Sequence, residues 1–92
     1  MSKTIDVKLS RPYKLAGKDT AAISFREPKV ADLLVIENAV RDGGQHTMTT
    51  LMMAQLSGAT QPEIAEFSLH DYAACDRAMR PFMQFAEKGG GD

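Results

Sequence analysis

The chain has 92 residues with a formal net charge of −1, and 43% of its residues are hydrophobic and 25% charged. These values are typical of one globular domain and exclude a disordered chain or a second domain. Basic residues form no run and alternate with acidic ones, so the sequence predicts no nucleic-acid partner, because phosphate binding needs a basic patch.

Two segments near the amino terminus alternate apolar and polar residues. The alternation covers residues 4–9 and 21–26, and period two predicts a strand with one buried face in each. Gly17–Asp19 is expected to form the turn between them, and Pro12 to mark a break or an edge position, since it cannot donate to the ladder. The hairpin face expected to pack on the rest of the protein consists of Ile5, Val7, Ile23 and Phe25.

Helical spacing of apolar residues begins after Pro28, which ends the second strand and suits the first turn of a helix. Helices are predicted over residues 30–40, 47–56 and 68–85. The first is apolar on more than one side, so it is either central or half of an interface. The side chains expected to face the core are Val30, Leu33, Ile36 and Val40, then Met48, Leu51, Met52 and Leu56, then Leu69, Tyr72, Cys75, Met79, Phe82 and Met83.

Shorter signals complete the predicted organisation. Residues 60–63 read as a short helical start, and Ser68 with Asp71 resembles a capping box. Residues 87–92 are polar and glycine-rich, which is typical of a disordered tail. The sequence therefore predicts an α+β protein, mostly helical, in which an N-terminal antiparallel β-hairpin precedes a three-helix body. Residues 1–86 form its single domain.

Residues that could carry chemistry do not form a recognisable site. Cys75 is the only cysteine, so neither a disulfide within the chain nor a thiolate zinc site is predicted. His70 lies about 140° around a helix from Cys75, which separates the two side chains. The glycines at 43–44 and 89–91 lack the residues of a phosphate-binding loop. We therefore predict no enzyme, cofactor or metal. The first residues show no signal peptide and no apolar stretch approaches the ~20 residues of a membrane span, so we expect a cytoplasmic protein without a membrane partner.

Several apolar residues lie away from the stripes that their helices are expected to bury, and we single out three of them. They are Leu34, Met53 and Phe85. An apolar strip outside the core is often a binding face, although a small bundle can also cover two sides of a helix. We predict that these residues contribute to contact with a helical client or to self-association.

The order of elements and the residues at their junctions resemble a known family. The pattern spans about residues 4–85, and its most specific piece is the junction Phe25-Arg26-x-Pro28. Its other residues are Ile5, Val7, Leu9, Pro12, Gly17, Ile23, Val30, Leu33, Leu34, Ser57, Gly58, Glu63, Ile64, Leu69, Tyr72 and Phe82. Together they resemble the tail assembly chaperones of Mu-like and related contractile-tailed phages.

The resemblance implies a function. Such a chaperone binds the tape measure protein in the host cytoplasm, in fixed stoichiometry, before the tail tube polymerises around it, and it is absent from the mature virion. The family often has two forms that differ by a ribosomal frameshift near the end of the shorter one. Two other interpretations stay open: a small non-enzymatic adaptor or regulator, of the antitoxin or anti-repressor type, and a structural component of the virion.

Overall fold

The computed structural model describes residues 4–40 and 43–83. The elements in chain order are β1 (Thr4–Leu15), β2 (Lys18–Arg26), α1 (Val30–Ala39), α2 (Gln45–Ser57), α3 (Gln61–Ile64) and α4 (Leu69–Met83). The predicted α+β class is confirmed, with an N-terminal antiparallel hairpin followed by helices. The short helical start predicted at residues 60–63 is a fourth helix, α3, of a single turn. The tail predicted for residues 87–92 lies outside the described residues.

The hairpin is longer than the two runs of alternating residues. Its strands meet at a two-residue turn, Ala16 and Gly17, whose φ angles of 53° and 81° are both positive. Such turns match the twist of paired strands. The turn therefore precedes the predicted one, because residues 18 and 19 already pair with β1. The pairing shifts register between Lys8 and Tyr13, and Pro12 lies in that interval, as its missing N–H predicts.

One face of the hairpin packs on the helices. Val7, Ile23 and Phe25 are buried and Ile5 is partly buried, so the predicted face is confirmed. Strand β2 contacts α2, while β1 contacts α3 and α4. Full burial of one such apolar side chain stabilises a fold by about 1.5–3 kcal/mol. The buried apolar residues of the helices and their connections are Ile36, Met52, Met53, Ala54, Leu56, Ala59, Ile64, Phe67, Cys75 and Met79.

Three residues predicted to face the core are instead exposed. Val30 is 71% exposed, Met48 46% and Leu69 84%. Val30 and Leu69 are the first residues of α1 and α4, and Met48 is in the first turn of α2. The first turns of α1 and α4 instead bury Asp32 and Asp71, which are held by hydrogen bonds, so the side of the turn that faces inward is not the apolar one.

Asp71 joins the hairpin to α4. Its carboxylate accepts hydrogen bonds from the Ser10 N–H (3.0 Å), the Ser10 hydroxyl (2.7 Å), the Tyr13 hydroxyl (2.7 Å) and the Ser68 hydroxyl (3.2 Å). The Ser68 hydroxyl also accepts from the Asp71 N–H at 3.2 Å, which is one half of the predicted capping box. The other half is not formed, because the Ser68 N–H donates to the Tyr13 hydroxyl at 3.1 Å. Burial by itself raises the pKa of Asp71, but these hydrogen bonds outweigh it and lower that pKa to about 2. The position of α4 against β1 is therefore fixed by a charged group with several partners.

Candidate functional site

Helix α1 turns apolar side chains toward solvent. Val30 is 71% exposed, Leu34 55% and Val35 48%, whereas Ile36 is the only apolar residue of the helix that is fully buried. Val30 and Leu34 are four residues apart, so they lie on one line along the helix. We call Val30, Leu34 and Val35 the α1 ridge. A cluster of exposed aliphatic side chains on one element is the usual character of a protein-binding surface.

A groove runs along one side of this ridge, between α1 and the pair α2–α3. It has a volume of about 370 Å³. Its lining residues are Val35, Ile36, Ala39, Leu51, Ala54, Gln55, Gly58, Ala59, Thr60 and Gln61. Four of the ten are alanine or glycine, so a partner backbone can approach closely. We call this the α1–α2 groove.

A second groove, also of about 370 Å³, lies between α1 and the end of α4. Its lining residues are Glu27, Pro28, Lys29, Val30, Leu33, Pro81 and Phe82. The α1 ridge therefore stands between two grooves. Helices pack on one another by fitting ridges of side chains into grooves. A ridge flanked by two grooves therefore has a shape that suits a helical partner.

A cluster of polar side chains holds α1 in place. Both guanidinium nitrogens of Arg26 donate to Asp32, at 2.7 and 2.8 Å. The Gln55 amide donates to the same carboxylate at 3.0 Å, and the Lys29 backbone N–H donates at 2.8 Å. Asp32 is only 3% exposed. The end of β2, the start of α1 and the last turn of α2 therefore meet at one carboxylate.

The electrostatics of this cluster favour the charged state. The Arg26 hydrogen bonds, assisted by those of Lys29 and Gln55, outweigh burial and hold the pKa of Asp32 far below its usual range. A two-pronged pair of arginine and carboxylate is strong and directional. The orientation of α1 is thus set by a polar contact, and its apolar side chains are left free to face outward.

Most of the chain matches one known protein family. Residues 6–84 match the model of a family described as phage tail assembly chaperone proteins, E, or 41 or 14. The chain belongs to this family of phage tail assembly chaperones. A comparison with curated proteins and one with solved structures gave no significant match.

Membership gives the chaperone a role in tail assembly, and its partners are therefore proteins of that process. The match extends from β1 to the end of α4, so it includes the ridge, both grooves and the polar cluster. The residues that shape this surface belong to the part of the chain that defines the family.

The structure separates the three predicted binding residues of the chaperone. Leu34 lies on the α1 ridge. Met53 is 0% exposed, so its predicted exposure is wrong and it cannot present a binding surface in this fold. Helix α2 contacts β2, α3 and α1, and a helix covered on several sides buries residues off its main stripe. Phe85 lies outside the described residues. Val35 was missed, although its position off the core stripe of α1 carried the same signal as Leu34.

Reactive groups of the chaperone are occupied or protected within the described residues. Cys75 is 0% exposed, and burial raises the pKa of its thiol to about 12, so it is protonated at neutral pH. His46 Nδ1 lies 2.7 Å from the Tyr72 hydroxyl. Across residues 4–40 and 43–83 no group of three or more His, Cys, Asp or Glu side chains is placed to hold a metal ion. In the same ranges, no helix has the length and apolar character needed to cross a membrane.

Proposed function

We propose that this chaperone binds the tape measure protein in the host cytoplasm before the tail tube polymerises around it, and that it is absent from the finished virion. The proposal is supported by family membership together with the α1 ridge and its two grooves. The ridge is the single observation on which the proposal chiefly rests.

The chemistry of the surface fits a helical client. A tape measure protein is long and largely helical, and its apolar stripes need cover until the tube encloses them. Val30 and Leu34 repeat at helical spacing, and a helix laid beside them reaches the alanine-rich α1–α2 groove. Recognition of this kind places the apolar face of one helix against a groove of another protein.

The length of α1 supports coverage of the client by many copies of the chaperone. Helix α1 has ten residues, which corresponds to about 15 Å at 1.5 Å per residue. One chaperone therefore covers a short stretch of client, and a long client takes many copies. Binding of this kind is governed by concentration and affinity and needs no nucleotide cycle.

A matched pair of leucine variants tests the proposal. Leu34→Asp places a charge on the ridge, while Leu69→Asp makes the same change at a residue that is 84% exposed on α4. Calorimetric titration with the purified tape measure protein should show affinity about tenfold weaker for Leu34→Asp, since loss of an apolar anchor costs more than about 1 kcal/mol. The melting temperature should stay near that of the wild type. Wild-type affinity in Leu34→Asp, or weaker binding in Leu69→Asp, would show that the client binds elsewhere.

Mass spectrometry of purified virions tests the assembly role separately. The proposal expects tail tube and tape measure proteins in the particle and no chaperone. Its presence at tail stoichiometry would assign it to the structural components of the virion. A chain that binds no tape measure protein but binds one globular regulator would fit the adaptor interpretation.

A further inference from the structure

We propose that the groove between α1 and the end of α4 is filled by the Phe85 side chain of the same chain, and that a client displaces this side chain when it binds. We call this groove, whose lining residues are given above, the α1–α4 groove. The competition with a client rests on the proposed function, whereas the docking of Phe85 does not.

The α1–α4 groove has apolar walls that the described residues leave partly uncovered. These walls are Pro28, Val30, Leu33, Pro81 and Phe82. Val30 is 71% exposed, and Pro81 is exposed as well. Apolar surface of this kind is stabilised when another apolar side chain removes it from water. The groove therefore suits an aromatic or aliphatic side chain as its occupant.

Phe85 is within reach of the groove because of its place in the sequence. Helix α4 ends at Met83, and Phe85 follows it by two residues. Two residues span at most about 7 Å, so any path of the chain keeps Phe85 close to Phe82, which lines the groove. Among residues 84–92, Phe85 is the only one with a large apolar side chain.

Helical geometry also directs Phe85 toward the groove. In a helix that continues beyond Met83, Phe85 would follow Pro81 by four residues and Phe82 by three, on the face that carries both. Helical side chains lean toward the amino terminus of their helix, so Phe85 would extend back over the turn that contains these two residues. Pro81 and Phe82 are the α4 residues that line the groove.

Occupation of the groove reduces the apparent affinity for a client. Val30 lines the α1–α4 groove and also belongs to the α1 ridge, so Phe85 and a client share a contact residue. A partner that binds only the open form has its affinity reduced by the fraction of molecules that are open. The Phe85 side chain thus covers one flank of the ridge until a client replaces it.

A tryptophan at position 85 tests the docking without a client. The chain contains no tryptophan, so Phe85→Trp in the full chain gives a single fluorescent reporter. Its quenching constant for acrylamide should be about threefold lower in the folded chain than in urea, because a docked ring is shielded from solvent. Adding Val30→Asp should raise the constant about twofold, since a charge in the groove disfavours an apolar occupant. Val35→Asp, on the same helix but lining the other groove, is the matched control and should leave it unchanged.

Equal quenching in the folded and unfolded chains, or no change on adding Val30→Asp, would overturn the docking. Circular dichroism shows whether each variant is folded. If Phe85→Trp is not, the methyl resonances of Val30 in the otherwise unchanged chain give a second test. Phe85→Ala should shift them, through loss of the ring current of Phe85, and leave those of Val35 in place. Unchanged Val30 resonances would also overturn the docking.

Calorimetric titration with purified tape measure protein tests the competition. Phe85→Ala should bind the client about fivefold more tightly than the wild type, because the groove is then open in every molecule. Gln84→Ala is the control and should bind as the wild type does. Unchanged or weaker binding by Phe85→Ala would overturn the competition, and weaker binding would place Phe85 in contact with the client. A wild-type chain that does not bind the tape measure protein would overturn the proposed function and the competition, but not a docking measured without a client.

Discussion

Helices α1 and α4 are both held in their first turn by a buried aspartate, yet the rest of each helix is packed differently. Asp71 at the start of α4 accepts hydrogen bonds from neutral groups, and the helix then buries Cys75 and Met79. Asp32 at the start of α1 is held chiefly by a guanidinium, and α1 buries one apolar side chain, Ile36.

This difference indicates which of the two helices presents the candidate binding surface. Helix α4 is held by apolar packing as well as by its aspartate. Helix α1 depends mainly on its polar contact, because most of its apolar surface faces solvent. A directional ion pair allows a helix to stay oriented while its apolar side chains remain available for a partner. Elements with few buried apolar contacts are also the first to open locally.

The largest expected effect comes from truncation of a buried apolar side chain on α4, with an exposed one on α1 as the comparison. Met79→Ala on α4 should lower the free energy of unfolding by about 2–5 kcal/mol, since Met79 is 2% exposed and its loss leaves a cavity. Leu34→Ala on α1 should change it by less than about 0.5 kcal/mol, because Leu34 is largely in solvent. Urea denaturation measures both. Similar losses in the two variants would mean that α1 is packed as tightly as α4.

The second expected effect is a loss of stability at acid pH, because protonation of Asp71 weakens its hydrogen bonds between α4 and β1. The pKa of Asp71 is lowered to about 2 in the folded chain, against about 3.9 in an unfolded one. A lowered pKa gives stability that is complete above pH 4 and is lost as the pH falls from about 4 to 2, here on the order of 2 kcal/mol. Thermal melts of Asp71→Asn should show a shallower loss over this range than the wild type. Asp19→Asn, at an exposed hairpin residue, is the control and should follow the wild-type curve.

Loss of the Asp32 carboxylate should have a smaller effect than loss of Met79, and one confined to α1. Asp32→Ala removes the carboxylate partner of Arg26, whose side chain is 40% exposed and can turn to water, so the cost should be about 1–2 kcal/mol. Hydrogen exchange should become faster for the amides of α1 while those of α4 keep their protection. Equal acceleration in both helices would show that the Asp32 contact supports the whole fold and not one helix.

Local pattern was sufficient for much of this architecture. The alternation of apolar and polar residues located the hairpin. Ser68 and Asp71 indicated the start of α4, because their hydrogen bond is local and spans only three residues. The exposure of Leu34 could also be predicted, since α1 has apolar residues on more than one side. Angular position alone did not reveal that Met53 is buried, because it does not show how many elements surround α2.

The polar contacts that position the candidate site could not be predicted from the sequence and are known only from the structure. Arg26, Asp32 and Gln55 come from three different elements, and their spacing in sequence has no helical or strand period. The polar character of the three side chains indicated only that each would prefer solvent or a partner. The identity of that partner is a property of the tertiary arrangement.

The hydrogen bonds between Ser10 and Asp71 join residues that are 61 positions apart in the chain. During synthesis the ribosome therefore releases the hairpin well before the carboxylate that completes its polar contacts. The apolar face of β1 is also not fully covered until α4 is synthesised, since Cys75 and Met79 belong to the same core. Long-range closure of this kind slows folding relative to a chain of local contacts. Nascent chains should consequently become resistant to protease only after α4 has left the ribosome, and we expect the hairpin and the helices to fold together at that point.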